Sequence, residues 1–168
     1  LWSRGLGDVY KRQVYYIIKK SFFGFKGRLN PKNVTKFITH MGPCIEVVGF
    51  RQKKKGIKFL GDLCSDFGVN IKFITGPKKK FKKLNLNNLK TNLKNKKGLN
   101  VKGNTNTVYI NPLNSLKFVL NKIRKEKVKL EKDFYVFTGS TVGVVPIKNK
   151  GEYIGKVDKI GSVRTTIN

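Results

Sequence analysis

The amino-acid sequence predicts a β-rich α+β fold, an antiparallel or mixed sheet system with two helices packed on it. Three observations predict it. Strand-like runs outnumber helical ones and do not alternate with them as βαβ units. Two Asn-Pro pairs, Asn30-Pro31 and Asn111-Pro112, each join a capping side chain to a proline suited to the first helical position, and an amphipathic stretch follows each. The other apolar segments are short, rich in β-branched and aromatic residues, and punctuated by Gly, Pro and Asn. At 168 residues the length suits one domain, or a piece of a larger one, with an ordinary core.

In chain order, Leu1 to Gln13 holds the only Trp, two of the six Arg and a single Lys. It reads as a non-native leader of the cloning-join type, so positions 14–168 are taken as a single domain starting near Val14. Val14 to Ile18 is β-branched and aromatic and predicts a strand, and Gly24 to Gly27 predicts a turn. After Asn30-Pro31, the residues Val34, Phe37, Ile38 and Met41 fall at offsets 0, 3, 4 and 7, which predicts a helix of about three turns ended by Pro43. Ile45 to Phe50 predicts a strand, Leu60 to Phe67 a short helix, and Asn70 to Thr75 another strand. Lys78 to Lys83 is a charged surface segment, and a hairpin turns across Asn95 to Gly98. Asn111-Pro112 opens a second helix with Leu113, Leu116, Val119, Leu120 and Ile123 inward. Strands follow at Phe134 to Phe137, Glu152 to Val157 and Ser162 to Ile167, and no internal repeat is present.

Composition bounds the function. The longest apolar run, Val14 to Ile18, is far short of the roughly 20 residues that span a bilayer, so no membrane helix is expected. No secretory segment is recognisable, and a cytoplasmic location is expected. Cys44 and Cys64 stand 20 positions apart without a metal-ligand spacing, which excludes a zinc ribbon and a disulfide scaffold. The 37 Lys and Arg against 9 Asp and Glu, a net charge of +28, point to nonspecific polyanion binding and raise a nucleic-acid reading. Yet 31 of those cations are Lys, Asn occurs 16 times and Ala never. That bias fits codon drift in an AT-rich genome, which adds surface Lys without selecting phosphate contacts.

The constellations that could carry chemistry are few. His40 is the only histidine and sits on the first expected helix, so a nucleophile-histidine device would have to use it. No glycine-rich nucleotide loop occurs. Gly24-Phe-Lys-Gly27 fits the GXXG loop of KH RNA-binding domains, but that loop joins two helices and here a strand precedes it. Glu46 is a lone acid inside an apolar strand. It either faces solvent on the outer face of a sheet or is held toward a site by a partner such as a metal. Asp66 ends a short helix, where acids commonly cap. Thr138, Gly139 and Ser140 close a hydrophobic strand with small and hydroxyl residues, which suits either a turn or the close approach of a carboxylate ligand.

Taken in order, five segments resemble one family: Pro43 to Arg51, Ser65 to Gly76, Asn111 to Ile123, Leu130 to Ile147 and Ile160 to Ile167. The chain is similar to the C-terminal part of the 2-keto-4-pentenoate hydratase / 2-oxohepta-3-ene-1,7-dioate hydratase group. Its sisters are the 4-oxalocrotonate decarboxylases, within the fumarylacetoacetate hydrolase superfamily. The resemblance implies an N-terminally truncated, mixed β-sandwich roll with two packed helices, from a homo-oligomeric enzyme of aromatic catabolism. It implies Mg²⁺ or Mn²⁺ on three carboxylates, two from an E-x-E strand and the third at Glu46, with a 2-oxo or 2-hydroxy acid as substrate. Thr138, Gly139, Ser140 and Asp66 are then the expected substrate contacts. The ion would chelate the substrate and stabilise a dienolate before water adds. Decarboxylation and C–C hydrolysis use the same enolate and stay open.

The sequence departs from that pattern at the metal pair. Aligned on Val14 to Ile18, the two glutamates would fall at positions 11 and 13, which are Lys11 and Gln13. The catalytic residues are expected upstream of Val14, and the protein as written is expected to be inactive. Gly49, Phe50 and Phe67 also depart from the family's usual residues.

Overall fold

The computed structural model describes residues 9–50, 59–108 and 111–168, with side chains from position 14 onward except at 63. Arg51, at the end of the first resembling segment, lies outside the described residues. β1 (Val9–Ile18) and β2 (Ile38–Val48) form an antiparallel ladder from Val9 opposite Val48 to Ile18 opposite Ile38. β3 (Asn70–Thr75) and the short β4 (Lys79–Lys80) follow one another along the free edge of β2. β5 (Lys90–Asn95) and β6 (Asn100–Asn104) are the hairpin expected across Asn95 to Gly98. β7 (Phe134–Phe137) and β8 (Val145–Pro146) share the other edge of β1. β9 (Gly151–Val157) joins β5 to β10 (Gly161–Ile167).

The result is a six-stranded sheet around β3-β2-β1-β7 and a four-stranded sheet ordered β10-β9-β5-β6, with every described pairing antiparallel. The sheets meet through Ile45 and Val47 on one side and Leu93, Tyr153 and Val163 on the other. α2 (Pro112–Lys125) closes the far end of the core. The Asn111 side chain accepts the Asn114 N–H at 2.9 Å, the expected cap, and Leu116 and Leu120 are fully buried. No helix among the described residues is long and apolar enough to cross a membrane.

Two expectations are corrected. The helix predicted from Val34 to Met41 is one 3-10 turn, Val34–Phe37, after which the chain enters β2 at Ile38. The Asn30 and Asn33 side chains do not cap that turn but close the loop before it, Asn30 Oδ1 accepting from the Lys32 and Asn33 N–H groups at 2.9 Å and Asn33 Oδ1 from the Asn30 N–H at 2.8 Å. From Ile38 onward a long-range ladder with β1 is available, and it overrides a periodicity that four residues satisfied by coincidence. His40 therefore lies on a strand, opposite Ile17 and Lys80. Nor does Pro43 end an element, because it stands mid-strand opposite Val14. Its carbonyl accepts from Gly76 N–H at 2.8 Å, so its backbone polar face turns away from β1 and toward the gap between β3 and β4. The missing N–H costs the β1–β2 ladder nothing.

Both segments expected to pack on the core do so, the first as the 3-10 turn, whose Val34 and Phe37 are buried in the same cluster as Leu116 and Leu120 of α2. α1 (Leu60–Ser65) forms where expected but leaves Leu60 and Cys64 exposed. β1 also starts at Val9 rather than Val14, so the strand reaches into the segment taken as a leader.

Replacing Leu120 with alanine is expected to lower the unfolding free energy by about 2–5 kcal/mol. The urea midpoint measures this, and a loss under about 1 kcal/mol would show that α2 does not seal the core. Tyr16 is fully buried and its hydroxyl has no hydrogen-bond partner among the described residues. Burial pushes its phenol well above the ordinary range. The native state thus keeps a proton that the unfolded chain releases near pH 10, so this contribution is whole below about pH 10 and is lost above it. Tyr16→Phe is expected to be at least as stable as the parent at pH 7 and to lose less stability above about pH 10, as followed by urea midpoint against pH.

Candidate functional site

Alternation along β2 gives the site its two neighbourhoods. Ile45 and Val47 point into the space between the sheets, so Cys44 and Glu46 point to the opposite face of the six-stranded sheet. In register on that face stand Tyr15 and Ile17 of β1, Phe73 of β3, and Tyr135 and Phe137 of β7. Phe73 and Phe137 come from strands three steps apart, on the order of 14 Å in a flat sheet. Their rings nevertheless stack at 3.8 Å between centroids and 7° between planes. The sheet must therefore curl, and the Glu46 face is its concave side.

Glu46 is buried at 8% exposure and its Oε1 accepts the Asn70 Nδ2–H at 2.8 Å. The solvent-facing alternative for this residue is excluded. Next to it, burial pushes the Cys44 thiol well above its ordinary range, and the Glu46 charge adds to the shift. The Tyr15 phenol is also raised, first by burial and then by Tyr135 and Cys44. Its hydroxyl donates to the Gly76 carbonyl at 2.9 Å, and its ring covers Gly42 so closely that a Cβ there would lie 2.5 Å from the phenolic oxygen. A glycine is required at position 42 for this ring to lie flat on the strand.

Asp66 is buried at 4% exposure, beyond α1. From it a tight turn of three left-handed residues, Phe67, Gly68 and Val69 with φ of 51, 65 and 57°, leads directly to Asn70. Val69 N–H donates back to the Asp66 carbonyl, and the Val69 carbonyl accepts from Gly49 N–H, both at 2.8 Å. Two non-glycine residues with positive φ are strained backbone. That turn brings Asp66 to the end of β2 and delivers the Asn70 amide to Glu46.

The Thr138-Gly139-Ser140 corner is elsewhere. Thr138 donates both its N–H and its hydroxyl to the Val14 carbonyl, at 3.2 and 2.8 Å. Ser140 Oγ bonds the Val142 carbonyl, and Gly139 has room for a side chain, with only Val108 in ordinary contact. Val14 is three positions along β1 from Lys11, the register partner of Glu46, which sets the corner about 10 Å along and two strand spacings across. The structure brings Glu46, Asn70 and the Asp66 turn together and leaves the corner with its hydroxyls bonded to backbone carbonyls, Thr138 to that of Val14 and Ser140 to that of Val142.

A divalent ion on three carboxylates does not fit the described residues. Among them no group of three His, Cys, Asp or Glu is placed to hold a metal. The register partner of Glu46 on β1 is Lys11, that of Cys44 is Gln13, and on β3 Glu46 faces Phe73. One carboxylate that already accepts an amide N–H is too few hard oxygen donors. Sequence reasoning had no signal for Asn70, Tyr15 or Phe137, whose places depend on cross-strand register. Cys44 could have been found, since it is two residues from Glu46 on the same strand face.

No family model matches the chain, and no curated protein matches it. Solved structures do. A 4-oxalocrotonate decarboxylase from Pseudomonas putida G7, complexed with magnesium and adipate, aligns over 93% of this chain with a TM-score of 0.74 and 21% identity. Maleylpyruvate hydrolase from Sphingobium sp. SYK-6 aligns over 98% with a TM-score of 0.66 and 13% identity. Fumarylacetoacetate hydrolase from the psychrophilic Exiguobacterium antarcticum aligns over 96% with a TM-score of 0.60 and 16% identity. The chain covers 59, 57 and 57% of those proteins' lengths. The fold is of the fumarylacetoacetate hydrolase type, as the resemblance implied.

Cys44 is 1% exposed while Cys64 is exposed, so a thiol reagent at about pH 8 is expected to label one cysteine quickly. The second should react only in denaturant. Equal labelling rates would show that the concave face opens to solvent.

Proposed function

We propose that this chain is part of an enzyme acting on a small 2-oxo or 2-hydroxy acid, in the manner of the 2-keto-4-pentenoate hydratases. The reaction read first is addition of water to a 2-hydroxy-2,4-dienoate. The observation that carries the reading is the buried Glu46 on the concave face of a fold shared with a magnesium-complexed decarboxylase. Decarboxylation of a 4-oxalocrotonate-type acid is supported equally by that neighbour, and C–C hydrolysis by the two hydrolases. A cytoplasmic, homo-oligomeric enzyme is part of the reading.

The roles of the chain's own residues follow from the geometry. Asn70 fixes the Glu46 carboxylate in one orientation. The near-parallel rings of Phe73, Phe137 and Tyr135, with Tyr15 tilted against them, supply an aromatic, partly exposed surface beside it that suits a planar unsaturated acid. Asp66 and the Thr138 to Ser140 corner remain the proposed substrate contacts, Thr138 only by giving up one of the two bonds that its N–H and hydroxyl donate to the Val14 carbonyl. Because the described donors do not fit a divalent ion, no step is assigned to one, and the protein as written is read as inactive. The net charge of +28 makes adhesion to polyanions at low salt a secondary property.

The test uses the protein as given and a Lys11→Glu/Gln13→Glu double variant. Consumption of 2-hydroxypenta-2,4-dienoate with Mg²⁺ or Mn²⁺ is expected to stay at background for the parent, with no saturable metal binding by calorimetry. Lys11 and Gln13 occupy register positions beside Glu46 and Cys44, so the double variant is expected to gain a divalent site. Adding Glu46→Gln should weaken that gain by at least tenfold. Turnover by the parent would overturn the inactivity, and a gained site indifferent to Glu46→Gln would remove Glu46 from the ligand set.

A further inference from the structure

The second feature of the molecule that could take a ligand lies on the other side of β2. The tip of the β5–β6 hairpin faces the segment 143–149, and a pocket of about 520 Å³ opens between them. Leu99 just before β6, Val101 of β6, Val145 of β8 and Tyr153 of β9 form its walls and floor. β8 pairs with β1 over only two residues, Val145 and Pro146, and both line the void. A Cβ at Gly143 would meet nothing within 4 Å, and Val144 is 58% exposed. Such a volume is typical of sites for small molecules.

The chemistry of the lining selects the occupant. At the floor Tyr153 is 1% exposed and its hydroxyl donates to the Asn149 carbonyl at 2.7 Å, so the deep end is apolar and already satisfied. The charged groups lining the pocket are Lys97 and Lys148, and no Asp or Glu lines it. The nearest acid in sequence, Glu152, lies against Arg164 at 3.4 Å. The mouth is therefore positive and the interior greasy. Neither an arginine fork nor a helix N-terminus lines it, so a multiply charged phosphate finds no cradle there. Two lysine point charges suit a single carboxylate.

We propose that this pocket binds an amphipathic monocarboxylate, its apolar body against Leu99, Val101, Val145 and Tyr153 and its carboxylate between Lys97 and Lys148. The site shares no residue with the Glu46 face, from which the strand itself separates it, so its fate is independent of the proposed reaction.

Octanoate, with octanol as the uncharged control, is the probe, and backbone amide shifts by NMR are the readout. Saturable octanoate shifts confined to residues 95–101 and 143–153 are expected, with octanol bound roughly tenfold more weakly. Lys97→Met/Lys148→Met should reduce octanoate affinity by roughly tenfold, about threefold per exposed ion pair, and leave octanol unchanged. Val101→Trp should fill the pocket and abolish both. Should that variant misfold, Val144→Trp on the exposed rim serves the same purpose. Shifts spread over the lysine-rich surface, shifts indifferent to filling, equal binding of octanoate and octanol, or no saturable binding would each overturn the proposal.

Discussion

The β1–β2 ladder is the constraint on which the rest of the molecule depends. Its ten register partners are the longest pairing in the structure, and each edge strand of the larger sheet is hung on one of the two. Because side chains alternate, the same register decides both faces at once. It turns Val14, Tyr16, Ile45 and Val47 toward the second sheet and α2, and Tyr15, Cys44 and Glu46 toward the concave face. A slip of one residue would put Glu46 into the apolar core and Ile45 beside Asn70. The hydrophobic cost of that exchange is what holds the candidate site in place.

This dependence explains which parts were legible in the sequence. α2 was, because its start is a local event: Asn111 caps, Pro112 opens, and Leu116 and Leu120 return at helical spacing. β3, β7 and the β5–β6 hairpin were legible for the same reason, each bounded by its own turn residues. The stretch from Val34 to Met41 was not. Its apolar spacing matches a helix, and what decides against one is a partner strand 20 residues earlier. The burial of Glu46 follows from the family resemblance and not from its neighbours in the chain, since period-two alternation leaves either face open. Asn70 and the Phe73–Phe137 stack were beyond reach, because both need the curl of the sheet and the register of β3.

Around Glu46 the structure shows how a carboxylate is kept in a poorly solvated place. Burying an isolated charge costs far more than one hydrogen bond returns, so partners are obligatory. The Asn70 amide is one, and it is reached by spending backbone strain at Phe67 and Val69. Strain of this kind persists only where the surroundings over-determine it. Here Val69 is tied at both ends, to Asp66 through its N–H and to Gly49 through its carbonyl. The turn, the amide and the carboxylate thus form one unit rather than three separate features.

The charge distribution argues in the same direction. Every Lys and Arg whose side chain is described lies outside the buried set, consistent with cations accumulating wherever solvent tolerates them. Acids are scarce, 9 against 37, and a drift that spreads lysine over the surface gives no reason to bury any of them. Yet the only buried charged residues described are two acids, Glu46 and Asp66, and one turn links Asp66 to the amide that holds Glu46. A core built for stability alone would place apolar residues at both positions at lower cost. Glu46 and Asp66 are thus joined through Asn70 and one strained turn, an arrangement that apolar packing of the fold does not require.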